Sequence, residues 1–187
     1  ERIGSKRRAD DSEFTFHVLN SAGVFRIPEF ASSVVRPGIF LYGGEIGYGQ
    51  PRPQPVVSVH ARVALVRSVA PGTTLGYGST YVSTGEERWA TLSIGYGDGL
   101  SRVLSNRGCA ILKGVRVPII GRISMDVTVV DITDVESARE GDVATLIGSD
   151  GSVTRTLDQV AAESGTISYE VLTGLTSRLP RVWTDES

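Results

Sequence analysis

The chain has 187 residues, 40% of them hydrophobic, and a formal net charge of −2, which suits one globular domain with part of another and argues against a nucleic-acid binder, whose surface needs a clear excess of Lys and Arg. The single cysteine, Cys109, excludes an intrachain disulfide and points to a reducing, cytoplasmic setting, while two histidines, His17 and His60, are too few for a zinc site. No apolar run approaches the ~20 residues of a membrane span, and no signal-peptide core opens the sequence.

The start, through Ser12, is polar, and its basic cluster Lys6-Arg7-Arg8 is followed by Asp10 and Asp11, which reads as a solvated segment. Phe14 to Asn20 reads as a short buried strand. Ser21-Ala22-Gly23 then turns the chain into a brief helical or irregular stretch ending near Pro28. Val34-Val35 and Ile39 to Tyr42 flank an Arg-Pro-Gly turn and read as a second strand. Two strands joined by a helical stretch resemble one βαβ unit, which cannot form a parallel sheet alone because its edges would stay unpaired. Residues 1–44 are therefore expected to be the tail of a larger α/β domain. The run GGEIGYGQPRPQP, residues 43–55, holds three prolines and four glycines in thirteen positions and disfavours helix and central strand alike. It predicts a linker over 45–56.

From residue 57 the pattern turns to strands. Val57, Val59, Ala61, Val63 and Leu65 alternate with Ser58, His60, Arg62 and Ala64, a period of two. Further strands are predicted at 88–95, 109–120, 126–132 and 142–148, separated by Gly, Asn and Asp turns. Residues 57–187 thus predict a β-rich domain, a barrel or a curled sheet, and the fold class is mainly β. One helix interrupts it, with Leu157, Val160, Ala161 and Ser164 on one face and Gly165 as its C-cap; a second is predicted to begin at Ser168 as N-cap.

Several short motifs have residue types that suit chemistry. Asn20-Ser21-Ala22-Gly23 follows a strand, where backbone donors can cradle an anion, although an ordinary polar turn has the same composition. Arg36-Pro37-Gly38-Ile39 sets a guanidinium beside a glycine. Tyr77 stands in Gly-Tyr-Gly-Ser-Thr-Tyr, where flanking glycines leave a phenol exposed; with a reference pKa near ~10, such a phenol needs a nearby cation to act as a base. Tyr96 in Ile-Gly-Tyr-Gly-Asp-Gly and Met125 in Gly-Arg-Ile-Ser-Met-Asp read equally well as packing residues.

Taken in order, HVLNSAG, VVRPGIFLYG, TTLGYGSTY, IGYGDG, GRISMD, GDVATLIG and TISYEVLTGLTSRLPRVW resemble the alanine racemase family over residues 14–183, from mid-barrel to near the carboxy terminus. The resemblance implies a two-domain subunit in which a pyridoxal-phosphate-binding (β/α)8 barrel is followed by a β-rich domain, residues 14–42 supplying the last barrel strands. It also implies a homodimer in which the carboxy-terminal domain of one subunit completes the active site of the other. The activity implied is interconversion of L- and D-alanine by two-base proton transfer on pyridoxal phosphate, the D-alanine supplying bacterial peptidoglycan. Ser21, the backbone amides of Gly38 and Ile39, and the Tyr169 hydroxyl are expected to bind the cofactor phosphate, with Asn20 in support. Arg36 is expected to face the pyridine nitrogen. Tyr77 matches the catalytic base on the L side, and the Met125 amide the donor to the substrate carboxylate. Tyr96, Arg102, Arg122 and Ile167 match residues lining the corridor through which substrate enters.

The chain also departs from the family pattern. The family's cofactor lysine lies in a segment resembling AVVKANAYGHG, and neither Lys6 nor Lys113 matches it. The first three-quarters of the barrel, and an arginine that helps bind the substrate carboxylate, have no counterpart either. A fragment of a longer chain, inactive by itself, is therefore expected, against a natural lysine-free protein. Other readings stay open: a serine or broad-specificity racemase, a basic-amino-acid decarboxylase of the same two-domain plan, or a non-catalytic β-barrel interaction module.

Overall fold

The structure is a computed structural model that describes residues 17–184. The chain divides into two compact units, residues 1–56 and 57–187.

In the N-terminal unit, helix α1 spans Ser21–Arg26, capped by Asn20, whose side-chain oxygen accepts the Gly23 amide. A parallel bridge joins Asn20 to Arg36, and the Arg36 amide donates to the Leu19 carbonyl at 2.7 Å. The expected second strand is not formed: Ile39–Tyr42 is a 3-10 turn. The cause is a partner seventeen residues away, because the Ser21 hydroxyl oxygen gathers the amides of Gly38 at 2.7 Å and Phe40 at 3.4 Å and so bends an apolar run that would otherwise extend. The first expected strand, residues 14–20, lies partly outside the described residues, and its described end carries only the bridge at Asn20. Phe25 and Phe40 pack with ring centroids 4.7 Å apart, and Arg26 donates to the Ile46 carbonyl at 3.0 Å.

The C-terminal unit is built from β1 (Val59–Val69), β2 (Thr74–Leu75), β3 (Tyr81–Val82), β4 (Glu87–Leu92), β5 (Cys109–Leu112), β6 (Val115–Ile120), β7 (Thr128–Asp131), β8 (Val143–Asp150) and β9 (Val153–Arg155), followed by α2 (Leu157–Glu163) and α3 (Ser168–Gly174). Six of the strands pair antiparallel in the order β1-β4-β7-β6-β5-β8, and β8 returns to β1. The ring is closed, so these strands present no free edge on which another chain could template. Trp89, Leu92, Ile94, Ile111, Leu112, Ile119 and Leu146 are fully buried, each stabilising the fold by about 1.5–3 kcal/mol.

The period-two reading of β1 holds from Val59 to Val63 and then fails. Leu65 is 48% exposed, because the register shifts at a bulge between Val63 and Leu65. There β1 exchanges its β8 partner, paired through Val59–Arg62, for β4. The two-residue strands β2 and β3 and the short β9 carry too few residues for a period to show. The helix α2 is capped reciprocally by Thr156 and Gln159, and Gly165 ends it at φ +70°. Ser168 is not the N-cap of α3; Ile167 is, and the Ser168 hydroxyl donates to Asp158.

Barrel pairing decides which loops meet. Leu92, the last residue of β4, pairs with Thr128, the first of β7, so the segment after β4 and the segment before β7 leave the same end of two bonded strands. Ile120 at the end of β6 pairs with Val129. Leu75 of β2 packs with Trp89 and Ile120, and a Cβ on Gly121 would lie 2.9 Å from the Leu75 side chain. The β2–β3 turn, the loop after β4 and the β6–β7 loop are thereby gathered together.

Candidate active site

Tyr77 occupies the turn between β2 and β3. The turn needs glycine on both sides: Gly76 sits at φ +63° and Gly78 at φ +72°, a left-handed region that side-chain-bearing residues enter at a cost. Tyr77 is 71% exposed, and its hydroxyl has no hydrogen-bond partner among the described residues. A Cβ on Gly78 would lie 3.5 Å from the guanidinium carbon of Arg122, so a cation lies against the next residue of the turn. No acceptor or acid pairs with Arg122 among the described residues.

The motifs around Tyr96 and Met125 form one backbone assembly. A Cβ on Gly95 would come within 2.3 Å of the Ser124 carbonyl oxygen and 2.4 Å of that of Met125, which only glycine permits. That approach lets the Tyr96 amide donate to Ser124 O and the Gly97 amide to Met125 O, both at 2.9 Å. The Met125 amide itself points to no acceptor among the described residues, and the residue is exposed. Asp98, buried, accepts the Gly95 amide at 2.9 Å and pairs with Arg178 Nε at 3.1 Å. Arg178 also donates to Asp126. One guanidinium therefore ties the IGYGDG loop, the ISMD loop and the C-terminal stretch. Sequence reasoning gave Arg178 no role, because its two partners lie 52 and 80 positions away.

Among the other predicted residues of this unit, Tyr96, Arg102, Ile167 and Tyr169 are all exposed. Tyr96 lies in the 3-10 turn after Gly95, Arg102 begins another, Ile167 caps α3 and Tyr169 is its second residue. The phenols of Tyr96 and Tyr169 and the guanidinium of Arg102 have no partner among the described residues. A cavity of about 230 Å³, lined by residues including Ile94 and Gly99 of the IGYGDG loop, Leu146, Val160 and Leu175, has none of the predicted site residues in its wall.

In the N-terminal unit Asn20, Ser21, Arg36, Gly38 and Ile39 come together at the bridge and the 3-10 turn. Ser21 is buried and its oxygen accepts two amides, which leaves its own proton to donate. The Gly38 amide is committed to Ser21, whereas the Ile39 amide has no acceptor among the described residues. A Cβ on Gly38 would meet nothing within 4 Å, so the turn faces open space. Arg36 gives one side-chain bond among the described residues, to the Val18 carbonyl at 3.3 Å.

The sequence model described as alanine racemase, C-terminal domain, matches residues 56–183. The chain belongs to the alanine racemase family. It is 42% identical over 172 residues to the alanine racemase of Sorangium cellulosum, covering 89% of this chain and 45% of that protein. It is 45% identical over 171 residues to a catabolic alanine racemase of Rhizobium johnstonii, covering 90% and 44%. Among solved structures, the alanine racemase of Bartonella henselae with covalently bound pyridoxal phosphate superposes with a TM-score of 0.81 at 37% identity, over 90% of this chain and 46% of that one. The chain thus spans about half the length of the alanine racemases it matches.

Pyridoxal phosphate is a cofactor of the family, and the donor chemistry of the N-terminal unit fits its phosphate: an unspent serine proton, a free amide and a bare glycine facing open space. Lys113, by contrast, stands at φ +51° in the turn between β5 and β6 and pairs with Asp142 at 3.0 Å. Lys6 lies outside the described residues. Among the described residues no group of three or more His, Cys, Asp or Glu side chains could hold a metal ion. No described helix is long and apolar enough to cross a membrane.

Proposed function

We propose that the intact gene product interconverts L- and D-alanine, feeding peptidoglycan synthesis, and that this chain supplies one of the two proton-transferring groups. The observation that carries the proposal is the Tyr77 phenol, displayed on a double-glycine turn, without a hydrogen-bond partner among the described residues, and with the Arg122 guanidinium against that turn. Racemisation takes a proton from one face of the α-carbon and returns one to the other, so two groups on opposite faces suffice. Tyr77 Oη is the group on the L face. The Met125 amide, held out by the Gly95 approach, donates to the substrate carboxylate. Tyr96, Arg102, Arg122 and Ile167 line the approach of the substrate.

Pyridoxal phosphate, when bound, supplies the electron sink for the charge left at the α-carbon. Ser21 and the Ile39 amide would hold its phosphate, Gly38 would leave room for it, and Asn20 would support them by capping α1. Arg36 would be the group set toward the pyridine nitrogen, where a permanently charged donor would not hand that nitrogen a proton and would so limit transamination. Lys113 is committed to Asp142, so the group on the D face is assigned to a lysine supplied with the other half of the family's length. The exposure of Tyr77 favours a homodimer in which the phenol serves the partner's site.

Polarimetry on L- and D-alanine, with serine in parallel, tests the reading. The intact gene product is expected to racemise alanine and to show the absorbance of a pyridoxal Schiff base, and this chain alone to do neither. An intact gene product with neither property would overturn it in favour of a binding module.

A further inference from the structure

We propose that Asn106 is a positioning residue for the base: its carboxamide fixes the Tyr77 turn against the β6–β7 loop that carries Arg122 and Met125. The inference rests on the reading of Tyr77 given above and names the residue that sets where the phenol stands.

Every hydrogen-bonding group of the Asn106 side chain is used, and each serves one of those two loops. Its Nδ2 donates to the carbonyl and to the hydroxyl oxygen of Thr80, both at 3.3 Å, and its Oδ1 accepts the Gly121 amide at 2.6 Å. Thr80 ends the turn that begins with Tyr77, and Gly121 precedes Arg122, whose guanidinium returns to lie against Gly78. Thr80, Asn106, Gly121, Arg122 and Gly78 thus close a circuit around the Tyr77 turn. The neighbouring residue strengthens it: Ser105 Oγ accepts the Ile123 amide at 3.0 Å while donating to the Arg102 carbonyl at 2.6 Å. Arg122 is therefore held at the backbone on both sides.

Asn106 sits at φ +56°, a conformation that asparagine enters more readily than most residues. A purely structural turn there would be served as well or better by glycine. What glycine lacks is the carboxamide, whose two ends are spent on two loops 26 and 15 positions away. The bonds to Thr80 reach the turn from another loop, while the Tyr77 phenol is 71% exposed and has no hydrogen-bond partner among the described residues.

The test uses the cofactor-loaded intact gene product with Asn106→Gly, Asn106→Asp and Tyr77→Phe, measuring kcat, KM and α-deuterium isotope effects on L- and D-alanine. Asn106→Gly removes the carboxamide without straining the backbone, and Asn106→Asp keeps the acceptor for Gly121 but has no N–H for Thr80. Misplacing a reacting group costs about tenfold to a hundredfold, so both Asn106 variants are expected to lose that much kcat with KM little changed. The isotope effect on L-alanine is expected to rise while that on D-alanine does not. A merely structural role lowers the active fraction and leaves isotope effects unmoved; that result, or wild-type kinetics in Asn106→Gly, overturns the proposal. Should Asn106→Gly fail to fold, the isosteric Asn106→Asp provides the same isotope readout. Loss of activity in Tyr77→Phe alongside normal Asn106 variants would sink this inference alone, whereas a fully active Tyr77→Phe would sink the reading beneath it.

Discussion

Gly95→Ala tests whether the IGYGDG and ISMD motifs are one assembly. The added methyl would sit 2.3 Å from Ser124 O, 2.4 Å from Met125 O and 2.5 Å from the Met125 carbonyl carbon. All three are backbone atoms, so no rotamer relieves the clash and the loops must part. Overpacking of this kind costs about 1–3 kcal/mol. Parting the loops also weakens the Tyr96–Ser124 and Gly97–Met125 hydrogen bonds, each contributing about 1 kcal/mol. The sum is about 4 kcal/mol, which for a chain of this length lowers Tm by roughly 10 °C. Gly85→Ala is the control, because a Cβ there meets nothing within 4 Å and the residue is not at positive φ. Thermal unfolding followed by circular dichroism on the two variants decides the matter. Gly95→Ala melting alongside Gly85→Ala would refute the close approach, and with it the placement of the Met125 amide.

Three further predictions concern titratable groups in the packed interior. Burial pushes the Glu87 carboxyl up, but the Trp89 indole N–H at 2.7 Å, the Thr84 amide, the Tyr81 hydroxyl and the Gly85 amide outweigh it and leave its pKa below the usual carboxylate value. A lowered folded pKa contributes stability that is present above the unfolded value and lost as pH falls through the folded one; Tm is expected to drop as pH goes below that of an ordinary glutamate, and Glu87→Gln to flatten the acid limb. Burial, with Glu87 and Asp131 nearby, pushes the Tyr81 phenol up to about 12, so the opposite sign applies: stability is lost as pH rises from the phenol's ordinary 10.0 toward about 12, and Tyr81→Phe should remove that limb of a Tm–pH curve. Arg155 is 0% exposed and pairs with the half-buried Glu163 while giving an N–H to Leu146 O at 2.6 Å. Glu163→Gln strands a buried cation and is expected to cost about 3 kcal/mol, more than Arg155→Met, in a denaturant titration.

The ring of strands was legible where neighbours and period agreed, as at Val59, Ala61 and Val63. It was not at Leu65, because a bulge depends on which strand lies alongside, and one strand's own residues do not say. Ile39 to Tyr42 has the apolar content of a strand, yet the Ser21 oxygen, far off in sequence, collects its amides into a 3-10 turn. The glycines of IGYGDG announced a close approach of backbone but not its target. Arg178 and Asn106 were opaque for a related reason: an arginine or an asparagine in a polar loop has no local pattern, and each acquires meaning only when distant loops meet. The motifs that matched a known family gave roles to Tyr77, Met125 and Ser21 that their composition alone could not.

The central claim is that Tyr77 moves the proton on the L face. Its most direct measurement is loss of the α-proton to D2O in the cofactor-loaded intact gene product carrying Tyr77→Phe, followed by proton NMR separately from L- and D-alanine. Losing one acid–base group costs about a hundredfold or more, so exchange from L-alanine is expected to fall by that factor while exchange from D-alanine persists. Undiminished exchange from L-alanine, or an equal fall from both enantiomers, would contradict the account.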